Sequence, residues 1–193
     1  MRAHLVFAHP LPDSLGAHLS HTVEAALRSR GWEIDRLELY AAAFQPALTP
    51  TERRNYYAEP QSDSDAVALQ QRLARADILV LVFPTWWFGL PAILKGWFDR
   101  VWAPGFAFDQ GTPIKPRLTS LKACLVVTTL GSPWWIDTLV MRRPVRRILK
   151  TAILGACAPQ ARFTMLSLHA AENVDAARLG RFGTRIARAV ETL

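Results

Sequence analysis

Residues 78–101 read ILVLVFPTWWFGLPAILKGWFDRV, and this stretch decides the fold class. Its first six residues are all apolar, a pattern typical of a strand covered on both faces in the centre of a parallel sheet. From Pro91 onwards the apolar residues recur at helical spacing, and proline is favoured at the start of a helix. The stretch therefore predicts a strand, a turn rich in aromatic residues and a helix, which is the repeating unit of an α/β protein.

The rest of the chain continues this alternation. Apolar runs predict four further strands, at residues 5–7, 33–39, 125–129 and 163–168. Helical spacing predicts four further helices, at residues 15–27, 67–76, 135–153 and 179–193. Pro144 is expected to kink the helix at 135–153 or to start it afresh. Residues 41–60 are predicted to form a long loop with or without a short helix, and Asp63 or Ser64 is a candidate N-cap for the helix that follows.

Length, charge and cysteine content exclude several classes of protein. The 193 residues predict one domain, residues 1–193, built as a three-layer α/β sandwich with helices on both faces of a parallel sheet. No apolar run exceeds six residues, far below the roughly 20 of an integral membrane segment. The formal charge of +7 is not accompanied by a nucleic-acid-binding motif. The two cysteines lack metal-ligand spacing and no secretory leader is found, so we expect a cytoplasmic protein without a metal site.

Three loops are candidates for ligand binding, because ligands of such sheets bind beyond the carboxyl ends of the strands. The loop after the first strand contains His9, Ser14 and Gly16 and leads into a helix N-terminus. Backbone N–H groups and the helix dipole favour an anion there. A capped turn with a structural histidine explains the same residues equally well.

The loops after the strands at 78–83 and 125–129 carry aromatic residues. The first contains Trp86, Trp87 and Phe88, and the second ends in Trp134 and Trp135. Successive side chains point in different directions, so these rings cannot all enter the core, and a flat conjugated ligand would stack on them. A hydrophobic plug or a dimer contact is the alternative. Together the three loops favour a phosphate-bearing aromatic ligand such as a flavin nucleotide, although the GxGxxG and P-loop motifs are absent.

Residues 84–101 resemble the corresponding segment of the NAD(P)H:quinone oxidoreductases of flavodoxin-like fold. The resemblance extends to residues 104–108 and to the loops containing Ala8-His9-Pro10 and Thr128-Thr129. It implies a flavodoxin-like five-stranded parallel sheet of order 2-1-3-4-5. It also implies a homodimer whose active sites lie at the subunit interface.

The resemblance also implies site residues by their position in the chain. Four would hold the flavin phosphate or pyrophosphate: His9, Ser14, Leu15 and Gly16. Five belong to the loop along the isoalloxazine ring and its ribityl chain: Pro84, Thr85, Trp86, Trp87 and Phe88. Four would contact the polar edge of the ring: Thr128, Thr129, Leu130 and Gly131. Phe106 and Phe108, from either subunit, would help to line the substrate cavity. Trp134 and Trp135 are added to this cavity on their apolar aromatic character and not on the resemblance.

The implied activity is transfer of two electrons, as hydride through flavin N5, from NAD(P)H to a quinone or similar aromatic acceptor by a ping-pong mechanism. FAD is the expected cofactor and FMN the alternative. The alternative functions are a flavin-binding regulatory subunit of a membrane transport system and a one-electron carrier of the flavodoxin type.

Two features depart from the family pattern or stand outside it. The best-known members carry a tyrosine and a histidine after the Thr-Thr loop, whereas residues 132–136 contain neither, so no proton donor is assigned. Arg142, Arg143, Arg146 and Arg147 form a dense basic cluster. Planar guanidinium groups suit the phosphate of NADPH, but a solvated or dimer-edge face explains the cluster equally well.

Overall fold

A five-stranded parallel sheet forms the centre of the protein in a computed structural model that describes residues 1–57 and 65–193. The strands are β1 (Arg2–Phe7), β2 (Glu33–Glu38), β3 (Ile78–Pro84), β4 (Phe108–Asp109), β5 (Lys115–Pro116), β6 (Ala123–Thr129) and β7 (Arg162–Leu168). The sheet has the order β2-β1-β3-β6-β7, and β4 and β5 form a separate antiparallel pair. The five predicted strands are confirmed in the expected spatial order. The pair β4–β5 was not predicted, because strands of two residues show no periodicity.

Helices cover both faces of this sheet. They are α1 (Leu15–Ser29), α2 (Pro50–Arg54), α3 (Asp65–Ala74), α4 (Ala92–Val101), α5 (Pro144–Arg147), α6 (Gly155–Cys157) and α7 (Ala176–Glu191). Two π-helical segments, Ile136–Val140 and Ile148–Leu154, and a 3-10 turn, Ala171–Asn173, complete them. Among the residues that the structure describes, no helix is long and apolar enough to cross a membrane.

The continuous apolar run of β3 is shared between two layers of helices. Alternate side chains such as Leu79 and Leu81 pack in one cluster with α3 and α4. The intervening side chains, such as Val80, pack with α1 and α7 on the other face. This arrangement confirms that β3 is a central strand, since both of its faces are buried.

The helical segment predicted over residues 135–153 is divided in the structure. Arg142 and Arg143 adopt left-handed backbone conformations with φ of 56° and 51°, which interrupt the helix. Pro144 then begins α5 at its first position, as one of the two expectations for this proline stated. The predicted short helix in the loop at 41–60 is found as α2, whereas Asp63 and Ser64 lie outside the described residues.

The described segment after β2, residues 39–57, is held against α4 by a buried ion pair. Arg100 donates from Nη2 and Nε to Glu52 Oε1, at 2.6 Å and 3.0 Å, and from Nη1 to the Gln45 carbonyl at 2.6 Å. Thr49 and Glu52 form a capping box that starts α2. These contacts fix the loop on the same side of the sheet as α3 and α4.

Candidate functional site

The loop after β1 brings a histidine and a capped helix N-terminus to the carboxyl edge of the sheet. The backbone N–H of Leu11 donates to His9 Nδ1 at 3.0 Å, which orients the ring. Ser14 is the N-cap of α1, and its hydroxyl accepts from the Ala17 N–H at 3.1 Å. The N–H groups of Leu15 and Gly16 stand in the first helical turn, where helix geometry provides no partner for them. The structure therefore confirms the capped turn and leaves two donors beside it.

Gly16 is buried between His9 and Ser14 at the start of α1. A Cβ at this position would lie 3.6 Å from Ser14 Oγ and 3.7 Å from His9 Cδ2, which is ordinary van der Waals contact. Packing within this chain therefore does not demand glycine. A ligand that approaches the backbone closely would demand it.

The loop after β3 is a tight turn with two aromatic residues at its corners. Gly89 N–H donates to the Trp86 carbonyl at 2.9 Å, and Trp86 N–H donates back at 3.3 Å. Trp87 and Phe88 have φ of 50° and 54°, the dihedral signs of a type I′ turn, which usually carries Asn-Gly. Each left-handed residue other than glycine costs roughly 1–2 kcal/mol. The fold sustains this strain and leaves the Trp87 side chain 100% exposed, so the turn presents an aromatic ring to a ligand or partner.

Hydrogen bonds lock the loops after β3 and β6 side by side. Thr85 N–H donates to the Thr129 carbonyl at 2.7 Å, and the Thr85 and Thr128 hydroxyl oxygens are 2.8 Å apart. Leu130 N–H donates to the Leu168 carbonyl at 3.1 Å. Gly131 approaches a neighbouring segment closely, because a Cβ there would lie 3.0 Å from Glu172 Oε1.

These contacts narrow the set of backbone donors that can reach a ligand. The N–H groups of Thr85, Gly89 and Leu130 are all used within the protein. Among the described residues, those of Trp87 and Gly131 donate to no protein acceptor. A ligand above this edge of the sheet therefore meets donors from both loops.

The structure brings the three loops together, and the expected substrate residues differ in exposure. The His9 and Trp86 ring centroids are 6.2 Å apart, so the loops after β1 and β3 meet. Trp134 and Trp135 are exposed, at 59% and 48%. Phe106 and Phe108, by contrast, are half-buried against the apolar layer that contains α4. Their predicted role in the substrate cavity remains a prediction.

Sequence reasoning missed a histidine–aspartate pair beside these loops. His169 Nε2 lies 3.2 Å from Oδ2 of the buried Asp137. The pair lines a cavity of about 190 Å³ together with Thr85 and Leu130. His169 directly follows β7, so the rule that ligands bind beyond strand ends would have found it. Asp137 has no such signal, because it lies inside a segment that reads as an ordinary helix.

The described residues offer neither a metal centre nor a reactive thiol. They contain no group of three or more His, Cys, Asp and Glu side chains that could hold a metal ion. Burial raises the pKa of the Cys124 thiol to about 12 and that of Cys157 to about 11. Both thiols therefore stay neutral near pH 7 and are poor nucleophiles.

Comparison with known proteins places this architecture in a family. A family model described as the flavodoxin-like fold matches residues 1–178. The chain belongs to the flavodoxin-like family. NAD(P)H dehydrogenase (quinone) 1 of Rattus norvegicus is 36% identical to this flavodoxin-like chain over 148 residues, which are 68% of this chain and 54% of that protein. The resemblance noted in residues 84–101 is thereby confirmed.

Solved structures show the same fold. NAD(P)H:quinone oxidoreductase from Methanothermobacter marburgensis superposes with a TM-score of 0.87 at 24% identity, covering 98% of this chain and 95% of that one. An FMN-dependent NADH-azoreductase from Bacillus anthracis, in complex with FMN, has a TM-score of 0.78 at 14% identity, covering 100% and 99%. At these identities the likeness concerns the fold alone. The chain spans about half the length of the curated relatives it matches first.

Proposed function

We propose that this flavodoxin-like protein is a flavin-dependent oxidoreductase that uses NAD(P)H to reduce a quinone or a similar aromatic acceptor. The observation that carries the proposal is the strained turn at Trp87 and Phe88, which holds a fully exposed indole ring over the carboxyl edge of the sheet. The names of the rat relative and of the methanogen structure support the same reaction class.

The residues at this edge fit a flavin nucleotide. His9 and Ser14, with the first-turn N–H groups of Leu15 and Gly16, would hold its phosphate or pyrophosphate, because a helix N-terminus favours an anion. Gly16 fits as well, since a residue without a side chain lets a ligand approach the backbone closely. We propose FAD as the bound form and FMN as the alternative.

The second and third loops would hold the ring system. Trp86, Trp87 and Phe88 supply flat surfaces and exclude water, while Pro84 and Thr85 border the ring and its ribityl chain. The polar edge would meet residues 128–131. The free N–H groups of Trp87 and Gly131 are preorganised donors for negative charge on that edge.

The bound flavin would supply the hydride chemistry at N5, in a ping-pong sequence that uses one cavity for NAD(P)H and then for the acceptor. The protein contributes stacking, orientation and water exclusion. No side-chain acid is required of the segment 132–136 if backbone donors carry the charge.

We also propose that residues 1–193 act as one domain in a cytoplasmic homodimer. Support for the dimer comes from exposed apolar side chains in the segment from Trp134 to Ile148, which contains α5. These side chains are Trp134, Trp135, Leu139, Val140, Met141 and Ile148.

The proposal is tested by an anaerobic titration with NADPH after the protein has been loaded with flavin. Cofactor released by heat is first identified by chromatography as FAD or FMN. We expect the flavin absorbance to bleach directly and to return when a quinone is added. Accumulation of a one-electron reduced flavin would favour the carrier function instead. A flavin that binds but stays oxidised would favour the regulatory function, and failure to bind either flavin would overturn the proposal.

Substitution of Trp87 tests the ring-binding role. Because this side chain is fully exposed, Trp87→Ala should change the free energy of unfolding by no more than about 0.5 kcal/mol. It should nevertheless weaken flavin binding about tenfold. Stacking of a nucleic-acid base on an aromatic side chain contributes about 1–3 kcal/mol to binding, and the flavin ring is a comparable flat ligand. Trp87→Phe is the matched control, because it retains a flat ring, and its flavin affinity should stay close to that of the unaltered protein.

A further inference from the structure

The edge of the sheet beyond β7 carries two adjoining cavities lined by arginine. The first, of about 190 Å³, is lined by Arg143 and Arg146 from one side and by Arg185 of α7 from the other. The second, of about 470 Å³, is lined by Arg181 and again by Arg185. Ser167, His169 and Arg185 line both cavities, so the two share a wall.

The positive charge of the first cavity is not balanced by the protein. None of its three arginines lies within 4.0 Å of a carboxylate in the part of the chain that the structure describes. Asp137 is the one carboxylate that lines the cavity, and it is paired with His169. Elsewhere in the molecule, Arg72 and Arg100 do pair with acids.

The three guanidinium groups are held by contacts that leave donors available. Arg143 Nε donates to Thr138 Oγ1 at 3.2 Å. The Arg146 guanidinium lies 5.3 Å from the centre of the Phe163 ring, and that of Arg185 lies 5.3 Å from the Phe182 ring. The N–H groups of a guanidinium lie in its own plane and point away from an aromatic ring below it, so they can still donate to an oxyanion.

A strained backbone carries Arg143 into this cavity. Arg142 and Arg143 both have positive φ, which costs roughly 1–2 kcal/mol for each residue. The Arg143 N–H donates to the Asp137 carbonyl at 2.7 Å and so holds this conformation. Their sequence neighbour Arg147 lines a different groove with Ile148 and Thr151. The fold therefore divides the basic cluster of the sequence: Arg143 and Arg146 face the cavity, whereas Arg142 and Arg147 do not line it.

We propose that this cavity binds a phosphate group of the pyridine nucleotide that reduces the flavin. Three guanidinium groups around one open cavity match the charge and the donor geometry of a phosphate. Thr85 and Leu130, which line the same cavity, also belong to the loops proposed to hold the flavin ring. A nucleotide whose nicotinamide lies on that ring thus has a phosphate site within the same cleft. This inference rests on the proposed function for the identity of the nucleotide.

The test measures binding of NADP⁺ and NAD⁺, which cannot reduce the flavin, by calorimetry on the flavin-loaded protein. Arg146→Gln and Arg185→Gln are examined separately, because they come from different elements and one folding defect cannot explain both. Each should weaken NADP⁺ binding about tenfold, the effect of losing one hydrogen bond to a charged group. If the 2′-phosphate occupies the cavity, NAD⁺ affinity stays unchanged; if the pyrophosphate does, both nucleotides lose affinity together.

Two matched controls accompany these variants. Arg147→Gln and Arg188→Gln remove the same charge from α5 and α7 but lie outside the cavity, and both should bind NADP⁺ as the unaltered protein does. Equal weakening in variants and controls would show general electrostatics and overturn the inference, as would NADP⁺ affinity unchanged in Arg146→Gln and Arg185→Gln.

Binding of 2′,5′-ADP to protein without flavin separates this inference from the proposed function. If NADPH does not reduce the flavin, but Arg146→Gln and Arg185→Gln bind 2′,5′-ADP more weakly than the unaltered protein, the phosphate site stands and the proposed reaction falls. If NADPH reduces the flavin with the same apparent KM in all variants, the reaction stands and the phosphate site falls.

Discussion

At the scale of single residues, Asp35 joins three parts of the fold. Its carboxylate accepts from His4 Nδ1 at 3.0 Å and from Arg72 at 2.6 Å and 3.0 Å. The hydrogen bond from His4, with the Arg72 guanidinium, holds the pKa of Asp35 well below its usual range despite burial. The ionised form of Asp35 is therefore stabilised by folding. The hydrogen bonds among His4, Asp35 and Arg72 tie β1, β2 and α3 together.

Replacing Asp35 tests this contribution. A carboxyl whose pKa is lowered by folding stabilises the protein at pH values above its pKa in the unfolded state, which is about 3.9. That contribution is lost as the pH falls towards the lower pKa of the folded state. Asp35→Asn should lower the free energy of unfolding at pH 7 by about 2–3 kcal/mol, because it breaks a largely buried charge pair. It should also flatten the loss of stability below about pH 4, as measured by urea unfolding across pH.

Glu33→Gln is the matched control for Asp35→Asn. Glu33 lies on the same strand and pairs with Arg2, but its side chain is 67% exposed. Its replacement should change stability by less than about 1 kcal/mol. Similar effects of the two substitutions would contradict the role assigned to Asp35.

At the scale of elements, α4 and the loop after β2 depend on one close approach. A Cβ at Gly96 would lie 2.2 Å from the Pro46 carbonyl oxygen and 2.4 Å from the Pro46 Cβ, distances that no side chain tolerates. Glycine at this position lets the loop backbone rest on the helix. The buried pair of Arg100 and Glu52 then holds the two together.

Gly96→Ala should destabilise the protein although alanine favours helices. The inserted methyl group displaces the loop, at about 1–3 kcal/mol for an overpacked site. Gly180→Ala in α7 is the control, because no atom lies within 4 Å of the added Cβ, and it should stabilise the protein by up to about 1 kcal/mol. Thermal unfolding of both variants measures the difference, and a rise in Tm for Gly96→Ala would contradict the close contact.

At the scale of the whole molecule, the exposed apolar surface between Trp134 and Ile148 predicts self-association. Leu139 and Val140 are 64% and 62% exposed, and large exposed apolar patches mark interaction surfaces. The double substitution Leu139→Asp and Val140→Asp should convert the proposed dimer into a monomer, because it places two charges on the apolar surface. Sedimentation measures this change. Ala177→Asp, on an exposed position of α7, should leave the dimer intact. A monomeric unaltered protein at micromolar concentration would contradict the proposed homodimer.

Local signals in the sequence were sufficient for the five strands of the central sheet and for the edge of that sheet where the site lies. The apolar run at 78–83 identified the central strand, because burial on both faces removes polar residues from it. Pro144 was predicted as a possible helix start from residue chemistry alone. Strand order followed from the family resemblance of the turn after that strand, since periodicity carries no information about neighbours.

The α/β alternation, the central strand and the three loops at its carboxyl edge are encoded locally, because burial and capping impose short-range patterns on residue type. The left-handed conformations of Trp87, Phe88 and Arg143 are not encoded locally, because they oppose local preference and persist through surrounding contacts. The tertiary structure also decided which arginines share a cavity, since Arg146 and Arg185 belong to elements far apart in the chain. Such convergence depends on how helices pack across the sheet, and no local pattern of residues encodes it.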